Sequence, residues 1–404
     1  MHSKTTHSLF INLSLAALAI YCLTVIRYAY NMPAGDDYDA ILHFLNHYAS
    51  NDWPTKFRLL LSQHNEHRLV LTRALSALDF TLFGNVNFVH LIWLGLLGWI
   101  LAIVAFWRFS QLSGISFIQF TPALILLLSF SHFDIMTWAV GSSQQYFQLL
   151  FVILSVGYMV NGKPIVCLCF FTCAVFTSGG GLALAPLIIL YYLNQKQWRV
   201  LFIVTGVSAI LFLIYFLFLP YLSPTPNKAL DIFFRPHQWI GYLLGFLGGW
   251  SNIPKLGLAP LIIGGSILLC LFALIGKHSK TKTPFFFWLG LYIVITATLT
   301  ALNRSDLGLV TSGDSRYSQY SLLFLSCIYL SFIAIVKNER SQLNVLLLGP
   351  FLSVAIFCYW YAQALRPLED RLYWLKNDLQ VHPSWEDALS IRAESARLGV
   401  FSGK

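Results

Sequence analysis

The sequence predicts an all-α integral membrane protein with about eleven transmembrane helices and amphipathic juxtamembrane helices in its first outer loop. Hydrophobic residues make up 57% of the 404 residues and charged residues only 11%, whereas soluble domains carry about 25% charged residues. The mean hydropathy of +0.66 agrees. Because so few charges cannot hydrate the whole surface, lipid must cover much of it. Apolar runs recur along the chain, which indicates one transmembrane domain over residues 1–362 and a short outer helical tail over 363–404.

The formal charge of +9 does not indicate a nucleic-acid partner, because the sequence contains no basic run and no basic domain. The basic residues are scattered between apolar segments, where membrane lipids are the expected partner. All seven cysteines lie inside apolar stretches, a placement typical of small buried hydrophobic residues rather than of disulfides.

The first apolar run, residues 8–28, predicts an anchor that stays in the membrane. It is longer than the ~7–15 residues of a signal-peptide core. No small-x-small cleavage site follows it before Asn31.

Apolar runs long enough to cross a bilayer of ~30 Å define the remaining spans. The predicted spans are 9–30, 87–107, 116–133, 142–160, 164–177, 180–193, 199–219, 257–276, 285–302, 316–336 and 343–362. The pair around 177–181 has two interpretations, two short helices joined by a turn or one broken helix.

Loop charge favours two helices there and sets the orientation. With two helices, the cytoplasmic segments hold ten cations and one acid, Glu339. The cations are Lys4, Arg108, Lys163, Lys196, Arg199, Lys277, Lys280, Lys282, Lys337 and Arg340. Enrichment of Lys and Arg in short cytoplasmic loops is the usual topological signal. We therefore expect a cytoplasmic N-terminus and a periplasmic C-terminus, in a bacterial inner membrane.

The long polar segments then lie outside, where function is expected. They include residues 31–86 and 220–256. Within the second of these, residues 229–250 predict an interfacial or re-entrant helix that acts as a lid over a lipid-facing groove. The alternative is a twelfth span.

Two carboxylates follow the first span directly. Asp36 and Asp37 lie within a turn of Pro33 and Gly35, which end the helix. A charge costs little at the membrane surface, so a capping turn and a functional pair both remain open. Next, residues 38–48 and 55–61 have amphipathic patterns that predict the juxtamembrane helices.

A histidine-containing segment, Gln63-His64-Asn65-Glu66-His67-Arg68, follows these helices. On a helix, His-x-x-His would place two imidazoles on one face, so a metal cluster with Glu66 is one alternative. Metal sites need a further committed donor, and a divalent metal ion as cofactor is left open.

The order of these features resembles the first outer loop of GT-C superfamily glycosyltransferases, which include the protein O-mannosyltransferases and the aminoarabinose transferase that acts on lipid A. Those enzymes have a span, an acidic pair, two juxtamembrane helices and a His-containing segment before a Leu-Phe-Gly turn. Here the landmarks are Asp36-Asp37-Tyr38, His64-Asn65-Glu66-His67-Arg68 and Leu82-Phe83-Gly84. The resemblance covers about the first 110 residues by motif and the rest by layout. Asp37 stands where many members have Glu, and the tail is too small for the soluble domain of some relatives, so the acceptor class is not implied.

The resemblance implies an inverting glycosyltransferase that moves a sugar from a polyprenyl-phosphate carrier to a glycan, lipid or protein acceptor on the outer face. Such a reaction needs a carboxylate that takes the acceptor proton and cations that hold the departing phosphate. The resemblance implies Asp36 and Asp37 as catalytic residues, with Asp36 the better candidate for the base.

Arginine suits the phosphate because its guanidinium offers a bidentate fork. The predicted donor-phosphate residues are Arg68, Arg304 and Arg316. An interface anchor paired with Asp314 is the alternative for Arg316, and pairing with Glu66 or Asp79 is the alternative for Arg68.

Other residues are predicted to contact the substrate. They are Tyr38, His64, Glu66, His67, Trp138, Gln144 and Tyr317. An aromatic platform with amides is typical of sugar sites, although aromatic residues also line every membrane surface. Residues 177–181 expose backbone N–H groups that suit an anion or simply form a tight turn.

The chief rival is a lipid or glycan transporter or flippase without covalent chemistry. Transporters place charges midway through spans and often contain internal repeats, and neither feature is evident here. A membrane acyltransferase with His132 or His237 as base lacks a supporting constellation. No Walker sequence, dinucleotide fingerprint or nucleophile elbow supports an ATP-driven pump or a serine hydrolase.

Overall fold

The computed structural model describes residues 2–222, 235–253, 256–282, 284–335, 339–378 and 384–403. This part of the chain is 84% helical and holds no strand, which confirms the predicted all-α membrane fold.

Seventeen α-helices follow one another along the described residues. They are α1 (His2–Tyr28), α2 (Phe44–Ser50), α3 (Trp53–Leu61), α4 (Val70–Phe83), α5 (Phe88–Leu112), α6 (Phe117–Leu127), α7 (Phe133–Met136), α8 (Ala139–Val160), α9 (Pro164–Thr177), α10 (Leu184–Asn194), α11 (Trp198–Leu213), α12 (Pro236–Gly248), α13 (Ala259–Lys282), α14 (Pro284–Arg304), α15 (Ser315–Ile335), α16 (Glu339–Lys376) and α17 (Trp385–Arg397). Short 3₁₀ and π segments join or extend several of them.

Seven helical segments of the described chain are long and apolar enough to cross a bilayer. They are Ser8–Tyr28, Phe88–Leu112, Phe117–Met136, Trp198–Phe218, Pro284–Leu307, Ser315–Ile335 and Leu348–Lys376. Three shorter apolar helices, Pro164–Thr177, Gly179–Asn194 and Ala259–Leu274, occupy further predicted positions. Helix α8 occupies the one predicted span that remains, 142–160, and it is less apolar because of its glutamines. The helices thus lie where the spans were predicted, while eleven as the number of spans stays a prediction.

Residues 177–181 form a turn between two helices, the interpretation that loop charge favours. α9 ends at Thr177, a 3₁₀ segment covers Gly179–Ala183, and α10 begins at Leu184. A Cβ at Gly181 would lie 2.3 Å from the carbonyl carbon of Ala174. Only glycine therefore lets the chain fold back this closely.

Within residues 220–256, the described part contains α12, a helix of 13 residues. At ~1.5 Å per residue it is about 20 Å long, too short to cross ~30 Å of hydrocarbon. It packs against α13, α14 and α15 with Tyr242 and Phe246 buried. α9 and α10 are comparably short, so the choice between a re-entrant helix and a twelfth span stays a prediction. Residues 223–234 and 254–255 lie outside the described residues, and with them the first part, 229–234, of the predicted lid.

The first outer segment begins with a π-helical turn, Tyr38–His43, that continues directly into α2. Its apolar residues are buried, as the amphipathic pattern predicts. α3 starts at a cap in which the side chain of Asp52 accepts the N–H of Thr55, and it exposes Trp53 and Phe57. That exposure suits a helix lying in the membrane surface.

The tail folds back onto this first outer segment. The side-chain amide of Asn46 donates to the backbone carbonyl of Ile391 at 3.2 Å. The hydroxyl of Ser395 in turn donates to Oδ1 of Asn46 at 2.9 Å. The ring of Phe401 packs edge-on against Phe88. The tail therefore braces the segment that carries the acidic pair.

Candidate active site

Asp36 lies in the connection between α1 and the π-helical turn, and its side chain is 43% exposed. Its Oδ2 lies 3.8 Å from Nε2 of His64. The pKa of Asp36 is held below its ordinary value, chiefly by this contact with His64, with the charge of Arg316 adding to the effect and partial burial opposing it. Asp36 is thus an accessible, ionised carboxylate with an arginine nearby.

Asp37, its neighbour, has the opposite environment. It is 1% exposed, and its two oxygens accept the backbone N–H groups of Ala34 at 3.0 Å and Val140 at 2.9 Å. Burial raises its pKa to about 7, although both hydrogen bonds act in the other direction. Because its oxygens are engaged by the backbone, Asp37 ties the loop to the start of α8, and the predicted catalytic role does not fit its position.

The histidine segment is a hairpin turn, not the helix on which a His-x-x-His metal pair was considered. The backbone N–H and carbonyl groups of His64 and His67 bond each other at 2.8 and 2.9 Å, and Asn65 has φ +49°. Left-handed residues are typical of such two-residue turns. Among the described residues, no group of three or more His, Cys, Asp or Glu is arranged to hold a metal ion.

The hairpin places His67 against the 177–181 turn. A Cβ at Gly179 would lie 3.0 Å from Nδ1 of His67, and this nitrogen is buried with no hydrogen-bond partner among the described residues. Burial holds the pKa of His67 well below its ordinary value, so its ring is neutral near pH 7. His67 therefore contributes packing here and little charge.

Glu66, at the tip of the hairpin, pairs with Arg304 at the end of α14. Nη2 of Arg304 lies 3.3 and 3.4 Å from the two Glu66 oxygens, and Nη1 donates to the hydroxyl of Tyr317 at 3.1 Å. Glu66 and Arg304 are only partly buried. The ion pair brings three predicted site residues together from distant parts of the sequence.

Arg316 forms the pair with Asp314 that was one of its two sequence interpretations, and its role as a phosphate ligand stays a prediction. Its Nη2 donates to Oδ2 of Asp314 at 3.0 Å, and its guanidinium lies 5.2 Å from the centre of the Tyr317 ring. Its Nε atom is buried without a hydrogen-bond partner among the described residues. Its charge also acts on Asp36. An arginine with an unused donor therefore stands close to the acidic loop.

Arg68, predicted to bind the donor phosphate, is used differently. Arg68 is fully buried, and its guanidinium donates five hydrogen bonds to backbone carbonyl oxygens. Two go to Tyr215 and one each to Leu61, Leu219 and Pro220. The alternative partners are also engaged elsewhere: Glu66 with Arg304, and Asp79 with His90 at 2.8 Å. Arg68 joins the hairpin to the end of α11, and because all three of its guanidinium nitrogens bond backbone carbonyls, its position does not fit the predicted phosphate contact.

The remaining predicted substrate residues are mostly internal. The amide of Gln144 donates to the hydroxyl of Ser178 at 3.0 Å and is 7% exposed. Tyr38 is 1% exposed and hydrogen-bonds the side chain of Arg392 in the tail. Trp138 caps α8 and packs near Gly35, and Tyr317 is buried beneath Arg304. These residues support the site more than they line it.

Two cavities border the site. One of about 600 Å³ lies among α7, α15 and α16, next to Asp314 and Trp360. The other, of about 270 Å³, lies between the π-helical turn, α3, α4 and the hairpin. Three of its lining residues, His43, His47 and Arg73, were not predicted as site residues. The sequence did contain a signal for them: His43 and His47 lie on the polar face of the amphipathic segment 38–48, and Arg73 interrupts an apolar run.

Together these features define an integral membrane protein in which the first outer segment meets the ends of α14 and α15 through charged side chains. No family model and no curated protein sequence matches the chain. The structure is similar to the crystal structure of ArnT from Cupriavidus metallidurans in the apo state, with a TM-score of 0.47 and 14% identity over 99% of this chain and 76% of that one.

Proposed function

We propose that this protein is an inverting glycosyltransferase that moves a sugar from a polyprenyl-phosphate carrier to a glycan, lipid or protein acceptor on the periplasmic face of a bacterial inner membrane. The observation that carries the proposal is the accessible, ionised carboxylate of Asp36, which contacts His64 and whose pKa is lowered in part by the charge of Arg316. A base beside a phosphate-binding cation is what this transfer requires.

The proposed reaction exchanges one C–O bond for another and moves one proton. The acceptor oxygen attacks the anomeric carbon while its proton passes to the carboxylate of Asp36. The bond between the anomeric carbon and the phosphate oxygen breaks, and its electron pair leaves on the polyprenyl phosphate. The phosphate gains negative charge in this step, so a cation beside it stabilises the transition state more than the bound donor.

Arg316 and Arg304 are the proposed phosphate ligands. Each is paired with a partly exposed carboxylate, Asp314 or Glu66, which an incoming phosphate can replace. A phosphate on Arg316 also offsets the positive potential at Asp36. That change raises the pKa of Asp36 from its lowered value and makes it a stronger base once the donor is bound.

The cavity of about 600 Å³ is the proposed seat of the lipid phosphate and the first units of its chain. Its lining combines the cation Arg366 and the hydroxyl of Ser315 with the apolar surfaces of Phe133 and Trp360. Two acids also belong to the lining, Asp134 and the Asp314 that pairs with Arg316. Such a lining suits a ligand that is charged at one end and apolar at the other.

A transporter is not favoured by these contacts. The ionised groups gather at the ends of helices and in loops, instead of forming a chain of charges through the spans. An ionised carboxylate with an arginine nearby at the membrane surface suits the transfer of a sugar better than the passage of a substrate across the membrane.

The test is incubation of the purified protein with radiolabelled polyprenyl-phosphate sugars and membrane extracts, following the label as it leaves the carrier. The wild-type protein should transfer label, and Asp36→Asn should lower the rate by about 10²–10⁴-fold. Asp370→Asn, which changes an exposed carboxylate on α16, should transfer normally. If no donor loses label, or if Asp36→Asn keeps the wild-type rate, the proposal is wrong. Movement of intact labelled donor across liposomes without transfer would indicate a flippase instead.

A further inference from the structure

The smaller cavity has a lining unlike that of the proposed phosphate site. It has a volume of about 270 Å³, and its polar lining residues are Asp39, His43, His47, Gln63, His64 and Arg73. At ~30 Å³ per water molecule this is the volume of about nine waters. That volume is close to the size of one pyranose ring with its hydroxyl groups.

We propose that this cavity is the acceptor subsite and that it binds a single uncharged, hydroxyl-bearing sugar unit of the acceptor. The inference rests on the proposed glycosyltransferase function and adds the chemical class of the acceptor.

The π-helical turn and α2 build one wall of the cavity. Asp39, His43 and His47 follow one another at intervals of four residues, which places them on one face of a helical segment. The opposite face is buried through Ile41 and Leu45. The π-helical turn shifts the polar stripe relative to a regular helix, a feature common at functional sites.

His47 is held ready to accept a hydroxyl. Its Nδ1 lies 2.9 Å from the carbonyl oxygen of His43, to which it donates. Because Nδ1 carries the proton, Nε2 is an acceptor. The rings of His43 and His47 lie 4.4 Å apart and together form one wall. Burial and the neighbouring His47 lower the pKa of His43, which keeps the ring of His43 uncharged near neutral pH.

Arg73 supplies donors on another side. The residue is 4% exposed, and its Nη1 is anchored to the carbonyls of Leu59 and Ser62 and to the hydroxyl of Ser62. Its Nε is buried without a hydrogen-bond partner among the described residues, and its Nη2 donates no hydrogen bond to them. The guanidinium is therefore fixed in place by Nη1, and Nη2 is the group that can donate to a ligand.

The balance of charge favours a neutral polyol over a phosphate. Arg73 is opposed by the carboxylate of Asp39 in the same lining, and by Asp36 behind His64. Sugar hydroxyls both donate and accept, so they match a lining of imidazole, amide, carboxylate and guanidinium. Phe44 and Leu59 add apolar surface for the C–H face of a sugar ring.

The cavity ends beside the proposed base. His64 belongs to its lining, and Nε2 of His64 lies 3.8 Å from Oδ2 of Asp36. For a sugar in the cavity, only the side chain of His64 thus lies between its hydroxyls and the carboxylate that takes the acceptor proton.

Histidine footprinting of the purified, full-length protein tests the site without any need for turnover. Diethylpyrocarbonate modifies accessible neutral imidazoles, and mass spectrometry measures the rate at each position. Methyl glycosides of glucose, mannose and N-acetylglucosamine are the neutral probes, and inorganic phosphate is the anionic one. At least one glycoside should slow modification of His43 and His47 several-fold while leaving His90, which lies outside the cavity, unchanged. Protection by phosphate alone, by no glycoside, or equally at His90 would overturn the proposal.

A kinetic test separates this inference from the proposed function. His47→Gln should raise the acceptor KM about tenfold or more without changing the donor KM, and His90→Gln should change neither. If the wild-type protein transfers sugar but His47→Gln keeps its acceptor KM, the subsite is wrong and the transferase proposal stands. If glycosides protect His43 and His47 but no donor ever loses its label, the sugar site stands and the transferase proposal fails.

Discussion

Nε2 of His64 lies 3.8 Å from Oδ2 of Asp36, although 28 positions separate the two residues in the sequence. The hairpin of His64 and His67 creates this contact by turning the chain back beneath the acidic loop. The contact is the main reason why the pKa of Asp36 is lowered. It therefore sets the pH range over which Asp36 stays ionised.

His64→Gln should shift the acid limb of the pH–rate profile to higher pH. Without the imidazole, the carboxylate of Asp36 loses its main stabilising partner, so its pKa rises. A base must be ionised to act, so activity would be lost at a higher pH as the solution is acidified. The measurement is kcat/KM from pH 4 to 8 for the wild type and the variant. An acid limb at the same pH in both proteins would show that His64 does not tune Asp36.

Arg316→Ala should raise the donor KM about tenfold or more and lower the thermal-denaturation midpoint only slightly, because the ion pair with Asp314 is partly exposed. The donor KM of Arg316→Lys should fall between those of the wild type and Arg316→Ala, since lysine keeps the positive charge but loses the bidentate geometry of the guanidinium. Donor titrations and thermal denaturation in the same detergent measure both effects. A large loss of stability with an unchanged donor KM would assign Arg316 a purely structural role.

Arg68→Lys should lower the stability of the protein and leave the donor KM unchanged, the opposite of the result expected for Arg316→Ala. An ammonium group cannot replace the five hydrogen bonds of the planar guanidinium, so the carbonyls of Tyr215 and Leu219 would lose this partner, at a cost on the order of 3 kcal/mol. We expect a clearly lower denaturation midpoint and an unchanged donor KM in the protein that remains folded. Wild-type stability with a raised donor KM would restore the predicted phosphate contact.

Asp37→Asn should change how stability depends on pH. The pKa of Asp37 is raised from 3.8 to about 7 in the folded protein, so between these values the unfolded chain has released the proton and the folded chain has kept it. Raising the pH through this window therefore destabilises the wild type, with no further change above about pH 7. The denaturation midpoint of the wild type, relative to Asp37→Asn, should fall from pH 4 to pH 7. A constant difference would mean that Asp37 is ionised in the folded protein.

Much of the fold was predictable because hydropathy is a local property. An apolar run of about 20 residues must be helical to cross a bilayer, so the helices lie where the spans were predicted. The same holds for the amphipathic stretch after Asp37, whose apolar residues Ile41 and Leu45 are buried. Local pattern also left the turn at residues 177–181 with two interpretations, and loop charge favoured the right one.

The site was only partly predictable. Asp36 is accessible and Arg316 forms its expected pair with Asp314, but the pattern could not distinguish Asp36 from Asp37 and did not predict the pair of Glu66 with Arg304. Whether a carboxylate faces a cavity or a backbone N–H depends on which helix packs against its loop. Arg68 shows the same limit, because its partners lie about 150 positions along the chain.

The sequence by itself determined that the chain is a helical membrane protein, where its helices run, and that an acidic pair follows the first of them. The tertiary structure alone decided that one acid is open and ionised while the other is buried on the start of α8, and that the hairpin and α2 enclose a polar cavity beside the first. The reason is physical: hydropathy and helical period act over neighbouring residues, whereas the burial and charge of a side chain depend on packing between segments far apart in the chain.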